Sequence, residues 1–106
     1  MRQTVLVIDD QTSNAMLVAE ILSGISTNID VVTFAQPLEA VRFAAENPLD
    51  LVITDFSMPE LDGLGVIRLL KQMEHHVELP IIVVTALDDM NVRYAALDAG
   101  AADFLT

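Results

Sequence analysis

The chain alternates short apolar runs with longer segments in which apolar residues recur every three or four positions. The short runs are rich in Val and Ile, as β-strands are, and they lie at residues 5–8, 31–34, 49–54, 81–85 and, more weakly, 103–105. Three of these runs are continuously apolar over most of their length rather than alternating. This pattern is typical of parallel strands covered by helices on both faces, so it predicts a central parallel sheet.

Four segments have the periodicity of amphipathic helices, and the helices predicted are 14–23, 37–47, 64–73 and 88–99. Pro37 suits the first position of the second helix, and Asp88 or Asp89 is expected to cap the fourth. Gly24 is expected to end the first helix in a left-handed conformation, and Gly100 is expected to end the fourth.

Five strands and four helices in strict alternation predict an α/β domain with an open, doubly wound parallel sheet. A fifth helix normally follows the last strand of such a sheet, and we expect that helix beyond Thr106. Residues 1–106 are therefore interpreted as a single domain that is incomplete at its carboxyl end. Apolar surface that the fifth helix would cover is expected to be exposed.

Composition excludes several classes of function. Sixteen acidic and five basic residues give the 106-residue chain a net charge of -11, which disfavours binding to nucleic acid or anionic lipid. The chain has no Cys, which excludes disulfides, thiolate zinc sites and cysteine nucleophiles. The first apolar run is too short for a signal peptide or a membrane span. These features predict a soluble, cytoplasmic domain.

Polar residues follow three of the predicted strands: Asp9 and Asp10 after the first, Asp55 after the third and Thr85 after the fourth. The carboxyl ends of parallel strands meet at one edge of the sheet, where ligands bind in this class of fold. Three carboxylates at that edge repel one another unless a cation or protons offset their charge. Oxygen ligands favour Mg2+, with Mn2+ as the second choice, over zinc. The sequence thus predicts a phosphate site built through a metal.

Ordinary structural roles compete with this interpretation. Asp9 and Asp10 could form a turn and cap the first helix, and the Thr85 hydroxyl could bond to backbone. Asp55 is harder to explain in that way, because it interrupts an apolar run at the mouth of a predicted cleft. The set of four residues supports a site more strongly than any member does alone.

Two other features are interpreted mainly as structure. His75 and His76 are expected to diverge from a loop into solvent, since no matched set of metal ligands surrounds them. Met90, Arg93 and Tyr94 on the fourth helix could form a partner surface, although exposed residues of these types are ordinary.

Four motifs carry a resemblance to a known family: LVIDD at 6–10, LVITDFSMPELDG at 51–63, PIIVVTA at 80–86 and AGAADFL at 99–105. With these motifs in this order, essentially the whole chain resembles the receiver domain of two-component response regulators. The resemblance implies a flavodoxin-like strand order of 2-1-3-4-5. It also implies a phosphorylation-controlled switch rather than an enzyme, although such a domain assists its own phosphorylation and dephosphorylation.

The resemblance also implies roles for the residues that match these motifs. Asp55 would be the phosphoacceptor and would share a Mg2+ ion with Asp10, which binds it directly, and with Asp9, which acts mostly through water. The backbone carbonyl of Ser57 would complete the protein ligands. The phosphoryl donor would be a phosphohistidine on a sensor histidine kinase or phosphotransfer protein, or a small acyl phosphate.

The switch itself would involve Thr85, which bonds a phosphoryl oxygen, and Phe104, the aromatic residue that changes rotamer with it. The backbone amide of Ala86 would be a further donor to the phosphoryl group. Two departures from the family pattern stand out. The family's Lys would fall one position beyond Thr106, and Phe104 stands where Tyr is common, so a signal needing that hydroxyl is excluded.

Other functions were weighed against this one. A phosphatase of the haloacid dehalogenase type needs a second acid two residues after its nucleophile, whereas Asp9 is followed by Asp10, Gln11 and Thr12. FMN binding needs a phosphate loop rich in Ser, Thr and Gly, and the loop after the first strand is acidic instead. The remaining alternative is a pseudo-receiver that serves as a phosphorylation-independent interaction module.

The output is expected to lie in a domain or partner protein beyond Thr106, which would hold any catalytic activity. Residues 89–101 look similar to receivers attached to cyclic-di-GMP phosphodiesterases of the HD-GYP kind, and DNA-binding outputs are an equal alternative. Whether the domain forms a dimer is left open by the sequence.

Overall fold

The computed structural model describes residues 2–86 and 88–106 of the chain. Its strands are β1 Gln3–Ile8, β2 Ile29–Phe34, β3 Leu51–Thr54, β4 Ile81–Val84 and β5 Asp103–Leu105. Its α-helices are α1 Thr12–Ile25, α2 Pro37–Glu46, α3 Gly63–Lys71 and α4 Met90–Ala99, and a short 3-10 turn spans Glu74–His76. The alternation predicted from the hydrophobic pattern is confirmed.

All five strands are parallel and form one sheet in the order β2-β1-β3-β4-β5, as the resemblance implied. The register places the carboxyl ends of the central strands at one level. Ile8 at the end of β1 pairs with both Phe34 and Thr54, and Thr54 in turn pairs with Val83. Any side chains that directly follow β1 and β3 must therefore emerge close together.

Helices cover both faces of the sheet, which confirms the doubly wound arrangement. The larger core lies between the sheet and helices α2, α3 and α4, where Leu6, Val52 and Ile67 are fully buried. On the opposite face, α1 packs through Ala15 against the smaller core around Val5 and Val7. None of the helices in the described residues is long and apolar enough to span a bilayer.

Burial on both sheet faces was predicted for the continuous apolar strands, and it holds for β1 but not for β4. Residues 5–8 of β1 are all buried. Val84 on β4 is 39% exposed, and Leu105 on β5 is 46% exposed. Both residues lie on the face where, among the described helices, α1 packs, and α1 contacts mainly β1 and β2.

The predicted helix ends are partly confirmed. Gly100 has φ 121° and ends α4, and the Asp89 side chain caps α4 by accepting a hydrogen bond from Asn91 N at 2.8 Å. The expectation for Gly24 is wrong, because that residue stays helical and α1 continues to Ile25. The chain leaves α1 through an extended Ser26, whose hydroxyl accepts a hydrogen bond from the amide of residue 28.

Candidate functional site

The backbone holds Asp9 and Asp55 side by side at the carboxyl edge of the sheet. The Asp9 amide donates a hydrogen bond to the Phe34 carbonyl at 3.1 Å, and the Asp55 amide donates one to the Ile8 carbonyl at 2.9 Å. These bonds extend the β1 ladders by one residue beyond the last regular strand pairs. Both acids therefore leave the sheet at the same level and on neighbouring strands.

Three carboxylates converge at this edge. Asp9, Asp10 and Asp55 each place a carboxylate oxygen within 4.8 Å of the other two. They line an open cleft of about 670 Å3. The predicted site residues that share the lining are Asp9, Asp10, Asp55, Ser57, Thr85 and Ala86. The convergence expected from the ends of the three strands is thus observed.

The charge of this cluster is not offset by a basic side chain in the part of the chain that the structure describes. The one ion pair found there joins Arg2 and Asp30, at the amino ends of β1 and β2. Burial raises the pKa of the Asp9 carboxyl, and the nearby charges of Asp55 and Asp10 raise it further. A set of oxygen ligands with uncompensated negative charge fits a hard divalent cation such as Mg2+.

The loop after β3 folds back tightly on Asp55. One Asp55 carboxylate oxygen accepts a hydrogen bond from the Phe56 amide at 2.7 Å, and the Asp55 carbonyl accepts one from the Thr54 hydroxyl at 2.9 Å. The Gly63 amide then donates to the Phe56 carbonyl at 2.7 Å. A Cβ atom on Gly63 would lie 2.8 Å from the Asp55 carbonyl oxygen, so the close return of the chain requires glycine.

Phe104 does not lie among the residues that line the cleft. Its side chain is 3% exposed and belongs to the larger core, on the face of the sheet covered by α2, α3 and α4. Thr85 is also buried, and its amide donates a hydrogen bond to the Leu105 carbonyl at 3.0 Å. A backbone hydrogen bond thus links the residue that follows β4 to β5, the strand that carries Phe104.

Two polar residues of the cleft, Gln11 and Asn14, were not singled out from the sequence. The Gln11 amide donates to an Asp9 carboxylate oxygen at 2.9 Å, and the Asn14 side-chain amide donates to the Gln11 side chain at 3.0 Å. Both Gln11 and Asn14 counteract the raised pKa of Asp9. The sequence feature that could have identified these two residues as part of the site is their position at the start of α1, directly after the paired acids.

His75 is exposed, as expected, but the expectation that the two side chains diverge and that His76 lies in solvent is wrong. The ring centroids lie 3.8 Å apart with the ring planes tilted by 38°, and His76 is 2% exposed. Both Nε2 atoms lie within hydrogen-bond distance of the Ala44 carbonyl, at 3.0 and 2.8 Å. The reason is that the carbonyls at the end of α2 need partners, and the 3-10 turn brings both rings to them.

We expect Asp9→Asn to raise the free energy of unfolding of the metal-free protein at neutral pH. The folded state raises the pKa of the Asp9 carboxyl, so ionising this group opposes folding wherever the pH lies above that raised value. Asparagine removes the charge and keeps an oxygen that can accept from the Gln11 amide. This gain in the free energy of unfolding should shrink as the pH falls through the raised pKa of Asp9. It should vanish at a pH below the range in which aspartates ordinarily titrate.

Urea unfolding in EDTA at neutral and acidic pH measures this effect. Asp98→Asn is the matched control, because Asp98 is exposed on α4 and lies outside the cleft. A loss of stability in Asp9→Asn at every pH would mean that the ionised carboxylate supports the turn before α1 more than it strains the cluster.

Comparisons with known proteins agree with this fold and cleft. The family profile described as "Response regulator receiver domain" matches residues 5–106. The cyclic di-GMP phosphodiesterase response regulator RpfG of Xanthomonas campestris is 35% identical over 101 residues, a match that covers 95% of this chain. The chain spans only 27% of the length of that relative.

Two solved structures show the same fold. The chemotaxis protein CheY4 of Vibrio cholerae superposes with a TM-score of 0.91 at 24% identity, covering 100% of this chain and 87% of that one. The receiver domain of the sensor histidine kinase PA1611 from Pseudomonas aeruginosa has a TM-score of 0.87 at 28% identity. The match covers 100% of this chain and 85% of that one. That structure is described with a magnesium ion in its active-site cleft.

The profile match extends over nearly the whole chain and includes residues 5–8 of β1, the other four strands and the acidic cluster. The chain belongs to the family of response regulator receiver domains of two-component signalling systems.

Proposed function

We propose that this domain is a phosphorylation-controlled switch in which Asp55 accepts the phosphoryl group. The observation that carries the proposal is the convergence of three carboxylates within 4.8 Å at an open cleft, without a basic partner among the described residues. In this proposal Asp9, Asp10, Asp55 and the backbone carbonyl of Ser57 hold a Mg2+ ion. Mn2+ is the second candidate, since it accepts the same oxygen ligands.

Asp55 is the acid best placed to be the nucleophile. Its backbone is fixed between β1 and the loop after β3, and one of its carboxylate oxygens is held by the Phe56 amide. In the proposed reaction, an oxygen of this carboxylate forms a bond to phosphorus as the bond between phosphorus and the donor breaks. The donor is a phosphohistidine, whose ring nitrogen leaves, or an acyl phosphate, whose carboxylate leaves.

The end of β4 is suited to bind the transferred group. Thr85 and Ala86 line the same cleft as the acids, and we assign the Thr85 hydroxyl and the Ala86 amide as donors to phosphoryl oxygens. A bound Mg2+ ion would supply charge neutralisation between the phosphoryl oxygens and the acidic cluster. The role of the protein is then to hold donor and acceptor groups in line.

Acetyl phosphate tests this function directly. Incubation with Mg2+ should add the mass of one phosphoryl group to the intact protein, and EDTA should prevent it. Hydroxylamine should remove the group, because it cleaves acyl phosphates. If no adduct forms under conditions that label a known receiver domain, the proposal is wrong and an interaction module that works without phosphorylation becomes the better description.

We expect Asp10→Ala to weaken Mg2+ binding more than Asp9→Ala does. In the proposed site Asp10 is a direct ligand, whereas Asp9 acts mostly through water; loss of such an outer ligand typically costs about 10- to 100-fold in affinity. Calorimetric titration with Mg2+, supported by paramagnetic resonance with Mn2+, would rank the two variants. The reverse ranking would exchange the roles assigned to the two acids.

As a receiver, the domain is proposed to take its phosphoryl group from a sensor histidine kinase or a phosphotransfer protein in the cytoplasm. Its output would be a linked domain or a partner protein, and a net charge of -11 argues against nucleic acid as the direct partner. RpfG is named as a cyclic di-GMP phosphodiesterase, which makes that enzyme class one candidate for the output.

A further inference from the structure

Gln11 lies between the acidic cluster and α1, and three hydrogen bonds of its backbone fix its position. Its amide donates to an Asp9 carboxylate oxygen at 2.9 Å. Its carbonyl accepts from the amides of Asn14 and Ala15 at 3.1 and 3.2 Å. Gln11 is also among the residues that line the cleft. Its side chain therefore starts from a fixed point beside the proposed metal ligands.

The side chain of Gln11 does not cap the helix that follows it. Gln11 is the N-cap residue of α1, but its side chain accepts no hydrogen bond from the amides of the first turn. Ser, Thr, Asp and Asn are preferred for that role, because their side-chain oxygens reach those amides. Instead, the Gln11 side-chain oxygen accepts a hydrogen bond from the Asn14 side-chain amide at 3.0 Å. Capping thus gives no reason for a glutamine at this position.

The bond from Asn14 orients the planar amide group of Gln11. Because the oxygen of that group is turned to Asn14, its NH2 group is the part left for other partners. That NH2 group makes no hydrogen bond to residues 2–86 and 88–106. It is a neutral donor beside three carboxylates, which have only acceptors to offer when ionised. Those carboxylates repel an anionic phosphoryl group, whereas an N–H donor attracts its oxygens.

We propose that Gln11 binds the phosphoryl group of the incoming donor through a hydrogen bond from its Nε2 atom to a phosphoryl oxygen, and that Asn14 is the positioning residue that holds Gln11 in this orientation. The inference rests on the proposed function, in which Asp55 accepts that group, and it adds a contact beside α1. The oxygens involved are common to phosphohistidine and to acyl phosphates. The contact is therefore expected with either donor.

Timed labelling with two small donors tests the contact. Acetyl phosphate carries its phosphoryl group on oxygen, and phosphoramidate carries it on nitrogen, as phosphohistidine does. The variants are Gln11→Ala and Gln11→Glu, with Gln36→Ala as the matched control. Gln36 is also exposed, begins α2 as its N-cap without a side-chain capping bond, and lies outside the cleft lining. Each reaction contains enough Mg2+ to saturate the variant, as determined by calorimetric titration.

A hydrogen bond at an exposed site contributes roughly two- to ten-fold to binding. Gln11→Ala should therefore slow labelling by both donors by that factor, and Gln11→Glu should slow it more, because a carboxylate repels phosphoryl oxygens. Gln36→Ala should label like the parent. Normal labelling of Gln11→Ala would overturn the inference. So would an equally large loss of Mg2+ affinity in Gln11→Ala, because Gln11 would then act on the metal rather than on the phosphoryl group.

A double-substitution cycle tests the role of Asn14. Asn14→Ala leaves the Gln11 NH2 group in place and removes the bond that orients it. It should slow labelling less than Gln11→Ala does, and it should cause no further slowing when Gln11 is already alanine. Equal effects of Asn14→Ala in the two backgrounds would show that Asn14 acts independently of Gln11, and would contradict its positioning role.

Side-chain amide resonances give a second measurement that involves no group transfer. Beryllium fluoride stands in for a phosphoryl group on an aspartate when Mg2+ is present. In protein labelled with 15N, the NH2 resonances of Gln11 are identified by their absence in Gln11→Ala. They should shift when beryllium fluoride is added to the protein in Mg2+, whereas those of Gln36 should stay in place. Unmoved Gln11 resonances, with beryllium fluoride bound, would contradict the contact.

The two donors also separate this inference from the proposed function. If neither donor labels the parent, the proposed function fails and the inference fails with it. If both donors label Asp55 in the parent and label Gln11→Ala equally fast, the inference alone fails. If Gln11→Ala is slow with acetyl phosphate only, Gln11 contacts the acetyl group rather than the shared phosphoryl oxygens, and the inference is again wrong.

Discussion

Replacing Asp55 with asparagine is expected to abolish the phosphoryl adduct that forms with acetyl phosphate and Mg2+. The asparagine side chain is nearly isosteric with the aspartate side chain. Its oxygen can still accept the hydrogen bond from the backbone amide of Phe56. What is lost is the negative charge that makes the group a nucleophile and a metal ligand. The expected result is therefore loss of labelling without loss of the fold.

Intact-mass measurement after incubation checks this result, and Asp98→Asn is the control. Asp98 is an exposed carboxylate on α4, so its replacement changes the net charge equally without touching the cleft. Labelling of Asp55→Asn to the same extent as the parent would exclude Asp55 as the acceptor. Peptide mapping of the parent adduct would then identify which other acid carries the group.

The same substitution has a consequence for Asp9 that involves no phosphate. The charge of Asp55 helps to raise the pKa of the Asp9 carboxyl, after the larger effect of burial. Removing that charge should lower the pKa of Asp9 toward its ordinary value, although burial and the Asp10 charge would still hold it above. The carboxyl carbon resonance of Asp9, followed against pH in the metal-free parent and in Asp55→Asn, would show whether the pKa of Asp9 falls.

Much of the fold is predictable because the local patterns and the tertiary structure demand the same residues. In β1, residues 5–8 are continuously apolar, and the strand lies inside the sheet, between β2 and β3, with helices on both faces. The convergence of the acids follows from the parallel register, since the residue directly after Ile8 lies level with the residue directly after Thr54. The strand ends therefore predicted the acidic cluster before any distance was known.

Contacts between distant segments could not be predicted in this way. His76 is buried because it reaches a carbonyl at the end of α2, 32 residues earlier in the chain. Arg93 looks like an ordinary exposed residue of α4 until β5 places an aromatic ring beneath it. In both cases the packing between elements determines the environment, and hydrophobic periodicity carries no information about it.

Glycine positions show the same limit, because the sequence does not tell which glycine is required by its surroundings. Gly24 was expected to end α1, but it lies within the helix, and a Cβ there would meet no heavy atom of the described chain within 4 Å. Gly63 is the glycine that its surroundings require, because its backbone approaches the Asp55 carbonyl too closely for any other residue.

We expect Gly63→Ala to destabilise the fold and to slow phosphorylation of Asp55. The new Cβ would lie 2.8 Å from the Asp55 carbonyl oxygen and 2.9 Å from the Phe56 Cα, and both are backbone atoms that cannot rotate away. Forcing an extra carbon into such a contact typically costs about 1–3 kcal/mol, and relief requires movement of the peptide that carries the acceptor. The substitution should therefore lower both the free energy of unfolding and the labelling rate.

Gly24→Ala is the matched control, and its expected effect has the opposite sign. Its Cβ would enter open space on α1, and replacing a helical glycine with alanine stabilises a fold by up to about 1 kcal/mol. Urea unfolding and timed labelling with acetyl phosphate should give a less stable, slower Gly63→Ala and a Gly24→Ala that is at least as stable and labels normally. If Gly63→Ala matched the parent in both measurements, the loop after β3 would have room to yield, and the close return of Gly63 would not be what holds Asp55 in place.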